Sequence, residues 1–486
     1  MNDNSNNADL SKPGEPGDLV EQPLYEIRQE IYSRAVGGWF ARWRWALVFF
    51  TQLVFYGGPW LVWNGRQAVL FHLVARKFYI FGIVFWPQDF IYLTGLLIVS
   101  ALSLFLFTAV SGRLWCGFAC PQTVYAEIFM WIERKVEGDR WARMRLDQQP
   151  MSVRKFGLKA TKHGLWVALS LWTGFTFVGY FTPIHQLVAE VAGLAAAAGQ
   201  GGRPALGPWE IFWILFYGFA TYGNAGWMRE QVCKYMCPYA RFQSAMFDPD
   251  TLIITYDPER GEPRGPRARN VDAQSLGLGH CVDCDICVQV CPTGIDIRDG
   301  LQYECIGCAA CIDGCNRVMA RMGYPKGLIR YTTENALQQK FTPRQIMVRA
   351  LRPRVLIYTA VLWTIIIAIG IALYTRVPLK VDVIRDRANI SREVDGRWVE
   401  NIYRLQIMNT QEAPHRFVIR ARGVQSLHVD DDEAVEIPGA TTRMVPVRLR
   451  IEAGQLNSGS HKIEFEVSAV DDASIVVRER SVFLVR

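Results

Sequence analysis

Five stretches of the chain are apolar and almost free of charge over the length that a helix needs to cross a bilayer. Such a helix takes about 20 residues, because the hydrocarbon core is about 30 Å thick. The five stretches are residues 45–63, 90–110, 164–184, 208–227 and 355–374. The fourth includes Glu210 and three glycines, which lower its helix propensity. The pattern predicts a multidomain membrane protein whose α-helical membrane core has five spans.

After the fifth span the period of the pattern changes from helical to alternating. Tyr403, Leu405 and Ile407, for example, alternate with polar residues, as in a half-buried β-strand. Several such runs, separated by turn-forming residues, predict an immunoglobulin-like β-sandwich over residues 378–486. This domain has no cysteine, and we interpret its acidic run at residues 430–433 as a solvated turn rather than a cation site.

Basic residues orient these spans, because cytoplasmic loops carry an excess of Lys and Arg. The loop at residues 111–162 carries ten Lys or Arg, whereas the loop at residues 185–207 carries only Arg203. The first loop is therefore predicted to be cytoplasmic, and the β-sandwich periplasmic. Between the first two spans, residues 76–89 are aromatic but too few to cross and return, which predicts an interfacial hairpin.

These patterns predict the following domain organisation. A cytoplasmic tail covers residues 1–44, a four-helix membrane core 45–227, a cytoplasmic segment 228–354, the fifth span 355–374 and the periplasmic domain 378–486. The tail is acidic and has no basic region leading into a short apolar core, so no cleaved signal peptide is predicted. The net charge of +7 comes from basic residues that flank the spans, which excludes nucleic-acid binding as its explanation.

The twelve cysteines occur in closely spaced groups, which favours metal ligation over disulfides. Eight of them form two copies of the spacing C-x2-C-x2-C-x3-C, in which three cysteines wrap one cubane cluster and the fourth ligates the other cluster. The first cluster is expected at Cys281, Cys284, Cys287 and Cys315, and the second at Cys305, Cys308, Cys311 and Cys291. Zinc is the alternative, but its sites usually come as knuckles separated by a longer spacer. The spacing predicts a bacterial ferredoxin-like domain with two [4Fe-4S] clusters at about residues 272–325.

The remaining four cysteines form two copies of a Cys-x3-Cys-Pro motif, each after a predicted membrane hairpin. They are Cys116 and Cys120 in the first motif and Cys233 and Cys237 in the second. A spacing of four places both sulfurs on one side of a helical turn, and the proline then begins a new helix. The four thiols are predicted to form a soft-metal site, which favours Cu(I). A redox-active thiol system, a third cluster and structural cysteines stay open as alternatives. The charges of nearby Arg113 and Lys234 either lower the thiol pKa values or are those of ordinary basic residues that flank a membrane span.

Together these features resemble the CcoG (FixG/RdxA) family of accessory proteins for C-type (cbb-type) haem–copper cytochrome oxidase. The resemblance rests on Trp115–Pro121, Cys233–Pro238 and Cys281–Cys315, with residues 86–89 and 247–251. It implies a multi-pass protein of the bacterial inner membrane that reduces Cu(II) to Cu(I) for insertion into the oxidase. Membrane ferredoxins of nitrate and nitrous oxide respiration share only parts of this pattern.

The functional hypothesis is therefore a cupric reductase, with Cys116, Cys120, Cys233 and Cys237 as its catalytic residues and transient copper ligands. Its expected partners are the lipid bilayer, a cytoplasmic electron donor, a copper transporter or chaperone, and oxidase subunits or assembly factors. A homo-oligomer is compatible with the sequence. The alternatives are a quinol-linked electron-transfer subunit of a respiratory reductase and a non-catalytic scaffold for oxidase assembly.

Overall fold

The computed structural model describes residues 30–200, 206–269, 271–385, 391–429 and 433–485. Most of the acidic run near residue 430 lies outside them. The helices are α1 (Trp39–Gly57), α2 (Phe90–Ser111), α3 (Leu114–Phe118), α4 (Pro121–Glu137), α5 (Arg140–Gln148), α6 (Val153–Val178), α7 (Ile184–Gln200), α8 (Pro208–Thr221), α9 (Pro238–Met246), α10 (Pro258–Gly261), α11 (Ile286–Gln289), α12 (Ala310–Met322), α13 (Glu334–Gln339), α14 (Pro343–Ala350) and α15 (Pro353–Tyr374). Two π-helical segments, Tyr222–Met228 and Val232–Met236, follow α8.

The strands form a β-sandwich and three smaller sheets. They are β1 (Val62–Trp63), β2 (Arg66–Gln67), β3 (Val69–His72), β4 (Lys77–Ile80), β5 (Ile83–Phe85), β6 (Ile253–Tyr256), β7 (Ile329–Thr332), β8 (Leu379–Arg385), β9 (Arg392–Val394), β10 (Trp398–Asn409), β11 (His415–Arg422), β12 (His428–Val429), β13 (Val435–Ile437), β14 (Thr442–Glu452), β15 (Gly459–Ala469) and β16 (Val476–Val485). All the pairings between them are antiparallel.

Two helical segments, Pro87–Ser111 and Pro353–Tyr374, are long and apolar enough to cross a membrane, by length and composition. They coincide with the second and fifth predicted spans. Their most apolar windows are almost entirely unburied within the protein, which suits contact with lipid. The two helices also contact each other. The Tyr92 hydroxyl of α2 donates a hydrogen bond to the carbonyl of Ala372 in α15 at 3.1 Å.

The other three predicted spans are helical, but their ends differ from the prediction. Helix α1 runs over Trp39–Gly57 instead of 45–63, because Pro59 stands in a tight turn that leads into β1. Helix α6 begins at Val153 rather than at 164 and ends at Val178, where Gly179 caps it. An apolar stretch of sequence shows where charged residues are absent. It does not fix the residue at which a helix begins or ends.

The predicted hairpin between the first two spans is a three-stranded meander, β3–β4–β5, that packs on the β-sandwich. Val84 and Trp86 are buried together with Met408 of β10. At the start of α2, the Asp89 carboxylate accepts from Arg376 at 2.7 Å and from Lys380, both of which follow the last helix. The meander, the ends of two long helices and the β-sandwich therefore form one packed unit.

The C-terminal domain is a β-sandwich with sheets β12–β14–β10–β8, with β9 beside β10, and β13–β11–β15–β16. The alternating residues Tyr403, Leu405 and Ile407 are buried, as the pattern predicts. The Tyr403 ring contacts the Phe465 ring across the sandwich, with centroids 5.0 Å apart, and its hydroxyl donates to the carbonyl of Val482. The polar tip of this core residue is therefore paired.

The segment with eight cysteines folds around short helices α11 and α12. The paired strands β6 and β7 close this ferredoxin-like domain, and both lie outside the predicted range of 272–325. Tyr256 of β6 and Ile329 of β7 belong to the same buried cluster as Cys281, Cys287 and Cys315. A two-stranded sheet of four residues each carries too little pattern to be recognised along the chain.

Candidate iron–sulfur and thiol sites

The structure divides the eight ferredoxin cysteines between two cavities. One cavity is lined by Cys281, Cys284, Cys287 and Cys315, and the other by Cys291, Cys305, Cys308 and Cys311; Cys287 lines both. Each cavity thus combines one triplet with the distal cysteine of the other copy. This is the grouping that crossed ligation of two cubane clusters requires.

Repeated backbone geometry brings each triplet around its cavity. In the first triplet Asp283 and Asp285, which flank the middle cysteine, have left-handed φ values of 50° and 51°. In the second triplet Gly307 and Ala309 stand at the same positions with φ values of 69° and 60°. Left-handed backbone costs a residue other than glycine about 1–2 kcal/mol. Three such residues at equivalent positions indicate a loop shape held for its function.

Charged and polar side chains hold these loops in place. The Arg298 guanidinium donates to the carboxylates of Asp283 and Asp285, each at 2.7 Å, so that it ties both left-handed residues together. In the ferredoxin pattern a proline follows the fourth cysteine of each copy, as Pro292 does here, but Asn316 stands at that position in the second copy. Its side chain accepts a hydrogen bond from the Gly327 amide at 2.8 Å. The departure from the pattern therefore supports a local turn.

The geometry of the cysteines fits a polynuclear cluster better than a zinc ion. A structural zinc ion needs four ligands at about 2.0–2.3 Å from one centre. Among the residues that the structure describes, which include all twelve cysteines, no three His, Cys, Asp or Glu side chains converge in this way. A [4Fe-4S] cluster spreads its four cysteine ligands over four irons. Burial raises the pKa of Cys287, Cys305 and Cys315 to about 12, so cluster insertion must displace their protons.

The two Cys-x3-Cys-Pro motifs adopt related local structures. Cys116 lies in the short helix α3 and Cys120 precedes α4, which begins at Pro121. Cys233 lies in the second π-helical segment, and Cys237 precedes α9, which begins at Pro238. As predicted, each proline occupies the first turn of a new helix, where its missing N–H costs nothing.

The four motif thiols lie near one another, but they do not form a closed site for one ion. Cys120 and Cys237 are near enough to influence the titration of both Cys116 and Cys233. Burial is the largest cause and raises the pKa of Cys116 to about 11 and that of Cys233 to about 12. The positive charge of Arg113 opposes this increase without outweighing it. The arginine therefore lowers both pKa values, as expected, but by less than burial raises them.

Arg113 also joins three parts of the protein. Its buried guanidinium donates to the carbonyl of Ala240 in α9 at 2.5 Å and to the carbonyl of Tyr303, just before the second cysteine triplet. The residue itself directly precedes α3, three residues before Cys116. This one side chain thus contacts both motif regions and the ferredoxin-like domain. The sequence signalled it only by placing an arginine beside a cysteine motif.

The first motif contacts the loop of the second cysteine triplet directly. A Cβ atom on Gly117 would lie 2.6 Å from the carbonyl carbon of Gly307 and 2.7 Å from the Cα of Cys308. Cys116 and Cys233 both pack against the buried group that contains Cys308. Cys116 and Cys233 therefore lie beside the loop of the second cysteine triplet, a juxtaposition that residue spacing does not reveal.

Helix α1 is tied to the same domain by two side chains that the sequence does not single out. The Asp313 carboxylate of α12 accepts hydrogen bonds from the amides of Ala41, at 2.8 Å, and Phe40, at 3.4 Å. It thereby caps the N-terminus of a helix from another domain. Arg44, buried in α1, donates to the carbonyl of Cys308 at 3.3 Å.

A buried ionic group connects the helix of the first motif with the approach to the second. The Glu133 carboxylate of α4 pairs with Arg143 at 2.6 Å, with Arg229 at 3.1 Å and with Lys162 at 3.5 Å. Burial favours a higher pKa for Glu133, but the three cations together outweigh it and hold the pKa below 4.5. Arg229 lies four residues before Cys233, so this group helps to position the second motif.

Comparison with family models locates iron–sulfur domains at both motifs. A model described as a 4Fe-4S dicluster domain matches residues 228–334, and a model described as a 4Fe-4S binding domain matches residues 93–137. Within the second match the only cysteines are Cys116 and Cys120. A third model, described as the IG-like fold at the C-terminus of FixG, matches residues 369–486.

Curated relatives match most of the chain. The nitrogen fixation protein FixG of Rhizobium meliloti (strain 1021) is 39% identical over 422 residues, which cover 80% of this chain and 78% of the relative. Protein RdxA of Cereibacter sphaeroides is 36% identical over 451 residues, which cover 90% of this chain and 92% of the relative. The crystal structure of a FixG-related protein from Vibrio parahaemolyticus is 23% identical, covering 22% of this chain and 95% of that chain, with a TM-score of 0.21.

Proposed function

Because this chain belongs to the CcoG (FixG/RdxA) family of iron–sulfur electron-transfer proteins, we propose that it is an inner-membrane reductase that converts Cu(II) to Cu(I) for the assembly of a C-type haem–copper oxidase. The ligands of its two [4Fe-4S] clusters are the two groups of four cysteines that line the ferredoxin cavities. When bound, these clusters supply one-electron transfer.

One observation carries the proposal: Cys116 and Cys233 pack beside the loop of the second cysteine triplet. Gly117 lies against the backbone of Gly307 and Cys308, and Cys116 and Cys233 pack on the same buried group. An ion held by the motif cysteines would therefore lie beside the second cluster site. Thiolates bind Cu(I) in preference to harder ions, so the same cysteines suit the product of the reduction.

The reaction needs one electron for each copper ion. A soluble cytoplasmic one-electron donor supplies it, Cu(II) accepts it, and each thiol that binds the resulting Cu(I) releases its proton to water. Cu(I) then passes to a copper transporter or chaperone. The β-sandwich, which contains no cysteine, is proposed to bind oxidase subunits or assembly factors.

A topology of five spans is supported by the contacts that each end of the protein makes. The ferredoxin-like domain contacts α1 near its start and the motif that follows α2. The β-sandwich contacts the meander between α1 and α2 and follows α15. If the five spans are α1, α2, α6, α8 and α15, the two domains lie on opposite sides of the membrane. The ferredoxin-like domain is then in the cytoplasm and the β-sandwich in the periplasm.

A third cluster at the four motif cysteines is a second candidate, because the family model described as a 4Fe-4S binding domain covers Cys116 and Cys120. Iron content separates the two candidates. Anaerobically purified protein should contain about eight irons per chain if the motifs bind copper and about twelve if they hold a cluster.

The function is tested by Cu(II) reduction with purified, chemically reduced protein and a Cu(I)-specific chelator. We expect the variant with Cys116, Cys120, Cys233 and Cys237 all changed to serine to lose the rapid reduction while keeping about eight irons. Thr123→Ser, which keeps a hydroxyl beside the first motif, is the control and should reduce Cu(II) normally. Reduction at the wild-type rate by the quadruple variant would show that copper does not use these cysteines.

A further inference from the structure

Three arginine side chains are buried within the described parts of the chain, and they differ in how their charge is balanced. They are Arg44, Arg113 and Arg143. Arg143 pairs with Glu133 at 2.6 Å, and the guanidinium of Arg44 lies 3.7 Å from the carboxylate of Glu127. No carboxylate of the described residues forms an ion pair with Arg113. Its guanidinium donates instead to two backbone carbonyls, which carry no net charge.

A buried cation in these surroundings is costly to hold. Loss of hydration is offset only when an opposite charge or good hydrogen bonds replace the water. The two terminal nitrogens of Arg113 bond to carbonyls, but its Nε has no hydrogen-bond partner among the described residues. The side chain is only 6% exposed, so water and salt screen its charge little. The site therefore favours a nearby anion.

The second ferredoxin cavity lies next to this charge. Arg113 and Cys305 line one small cavity together with Gly307, and the guanidinium bonds to the carbonyl of Tyr303, two residues before Cys305. A Cβ atom on Gly307 would lie 2.9 Å from the carbonyl oxygen of Arg113. A [4Fe-4S] core with four thiolate ligands is an anion, and an added electron makes it more negative. Arg113 is thus placed as a counter-charge to the second cluster.

The other charged residues beside the second triplet have partners or are exposed. Arg44 bonds to the carbonyl of Cys308 but also pairs with Glu127. The Asp313 carboxylate accepts from two amides at the start of α1. Glu304, which follows Tyr303, is exposed to solvent. Arg113 therefore contributes the buried positive charge that no carboxylate of the described residues offsets.

The arginines beside the first ferredoxin cavity are arranged differently. Arg298 forms ion pairs with three aspartates, at 2.5–2.7 Å. Arg267 donates to the carbonyl of Cys281 at 3.2 Å, but its side chain is only partly buried. The charge of the first arginine is neutralised and that of the second is screened by water. Arg267 is therefore a natural control for Arg113.

We propose that Arg113 raises the reduction potential of the second cluster and so stabilises an electron there, beside Cys116 and Cys233. Its fixed positive charge attracts the negative charge that reduction adds, and its bonds to the carbonyls of Tyr303 and Ala240 hold the guanidinium in place. Protein charges and hydrogen bonds are among the factors that set such potentials. The inference goes beyond the proposed function, because the charge acts on the cluster whichever ion or protein accepts the electron.

The test is an anaerobic redox titration, followed by electron paramagnetic resonance, of protein with its full iron content. The step of the second cluster is the one that Cys308→Ser lacks. Arg113→Gln should make reduction of this cluster about tenfold less favourable, which is about 59 mV toward lower potential for one electron. Arg113→Lys keeps the charge and should change it by less than about threefold, because charge attraction does not require the hydrogen bonds. The step of the first cluster should stay in place in both variants.

Arg267→Gln is the matched control, because it removes an arginine that bonds to a carbonyl of the first triplet, and it should not move the second step. If Arg113→Gln does not assemble its clusters, Arg113→His replaces it, and its second step should move to lower potential as the imidazole loses its charge between about pH 5 and 8. An unmoved second step in Arg113→Gln, a pH dependence in Arg113→His no greater than in wild type, or an equal shift in Arg113→Lys would overturn the inference. Cu(II) reduction by wild-type protein is a separate measurement, so the proposed function stands or fails independently.

Discussion

The eight ferredoxin cysteines and the four motif cysteines both come from a doubled spacing, but the protein holds them in different ways. The eight lie within Cys281–Cys315, on loops whose left-handed residues curve around two cavities. The four lie on two separate helical segments, which are brought together by contacts with α4, α9 and the ferredoxin-like domain. Local loops suit a cofactor that stays bound, whereas a site assembled from distant segments suits an ion that is passed on.

The comparison is tested most strongly by removing one cysteine from each set. Cys308→Ser should lose about half of the iron, because one [4Fe-4S] cluster loses a ligand, whereas Cys116→Ser should keep it. Iron and acid-labile sulfide analysis, with electron paramagnetic resonance of the reduced protein, measures both. A loss of iron from Cys116→Ser equal to that from Cys308→Ser would remove the distinction and favour a third cluster.

The buried ionic group at Glu133 is expected to contribute most to holding the motifs together. Glu133→Gln leaves three cations without their shared partner, and breaking a buried pair in this way costs about 3–5 kcal/mol. The melting temperature in detergent at neutral pH should fall clearly. Glu190→Gln, on α7 and bonded to the exposed Gln186, is the control and should change stability by about 0.5 kcal/mol or less. Equal melting temperatures for the two variants would contradict this role.

The contact at Gly117 should have a smaller effect on stability and a specific effect on electron transfer. Gly117→Ala places a methyl group against the backbone at Gly307, which costs about 1–3 kcal/mol and separates the first motif from the second ferredoxin cavity. Cu(II) reduction should slow while the iron content stays normal. Gly157→Ala, in open space on α6, should leave the rate unchanged and add up to about 1 kcal/mol of stability. A normal rate in Gly117→Ala would show that this contact does not govern electron transfer.

The smallest effect is expected where the ferredoxin-like domain caps α1. Asp313→Asn keeps an oxygen acceptor but removes the charge at the helix N-terminus, which costs about 0.5–1 kcal/mol. Hydrogen exchange of the Phe40 and Ala41 amides should become faster. The exposed Asp299 provides the control substitution, Asp299→Asn, which should not alter exchange at α1. Unchanged exchange in both variants would mean that the charge does not hold this junction.

Structural features that depend on residues close together along the chain could be predicted from the sequence. Cysteines at intervals of three predicted the grouping into two cavities, because the short chain between them can adopt few conformations. Alternation at Tyr403, Leu405 and Ile407 predicted the sandwich core, because successive strand residues face opposite sides. The uninterrupted apolar runs of α2 and α15 were equally direct.

The sequence by itself therefore determined the kind of cofactor domain, the β-sandwich and the two most apolar helices. Only the tertiary structure decided where Cys116 and Cys233 lie relative to Cys308 and how Arg113 joins three segments. The physical reason is that local spacing restricts short loops strongly. A contact between distant segments depends on how whole helices pack, and no short stretch of sequence encodes that arrangement.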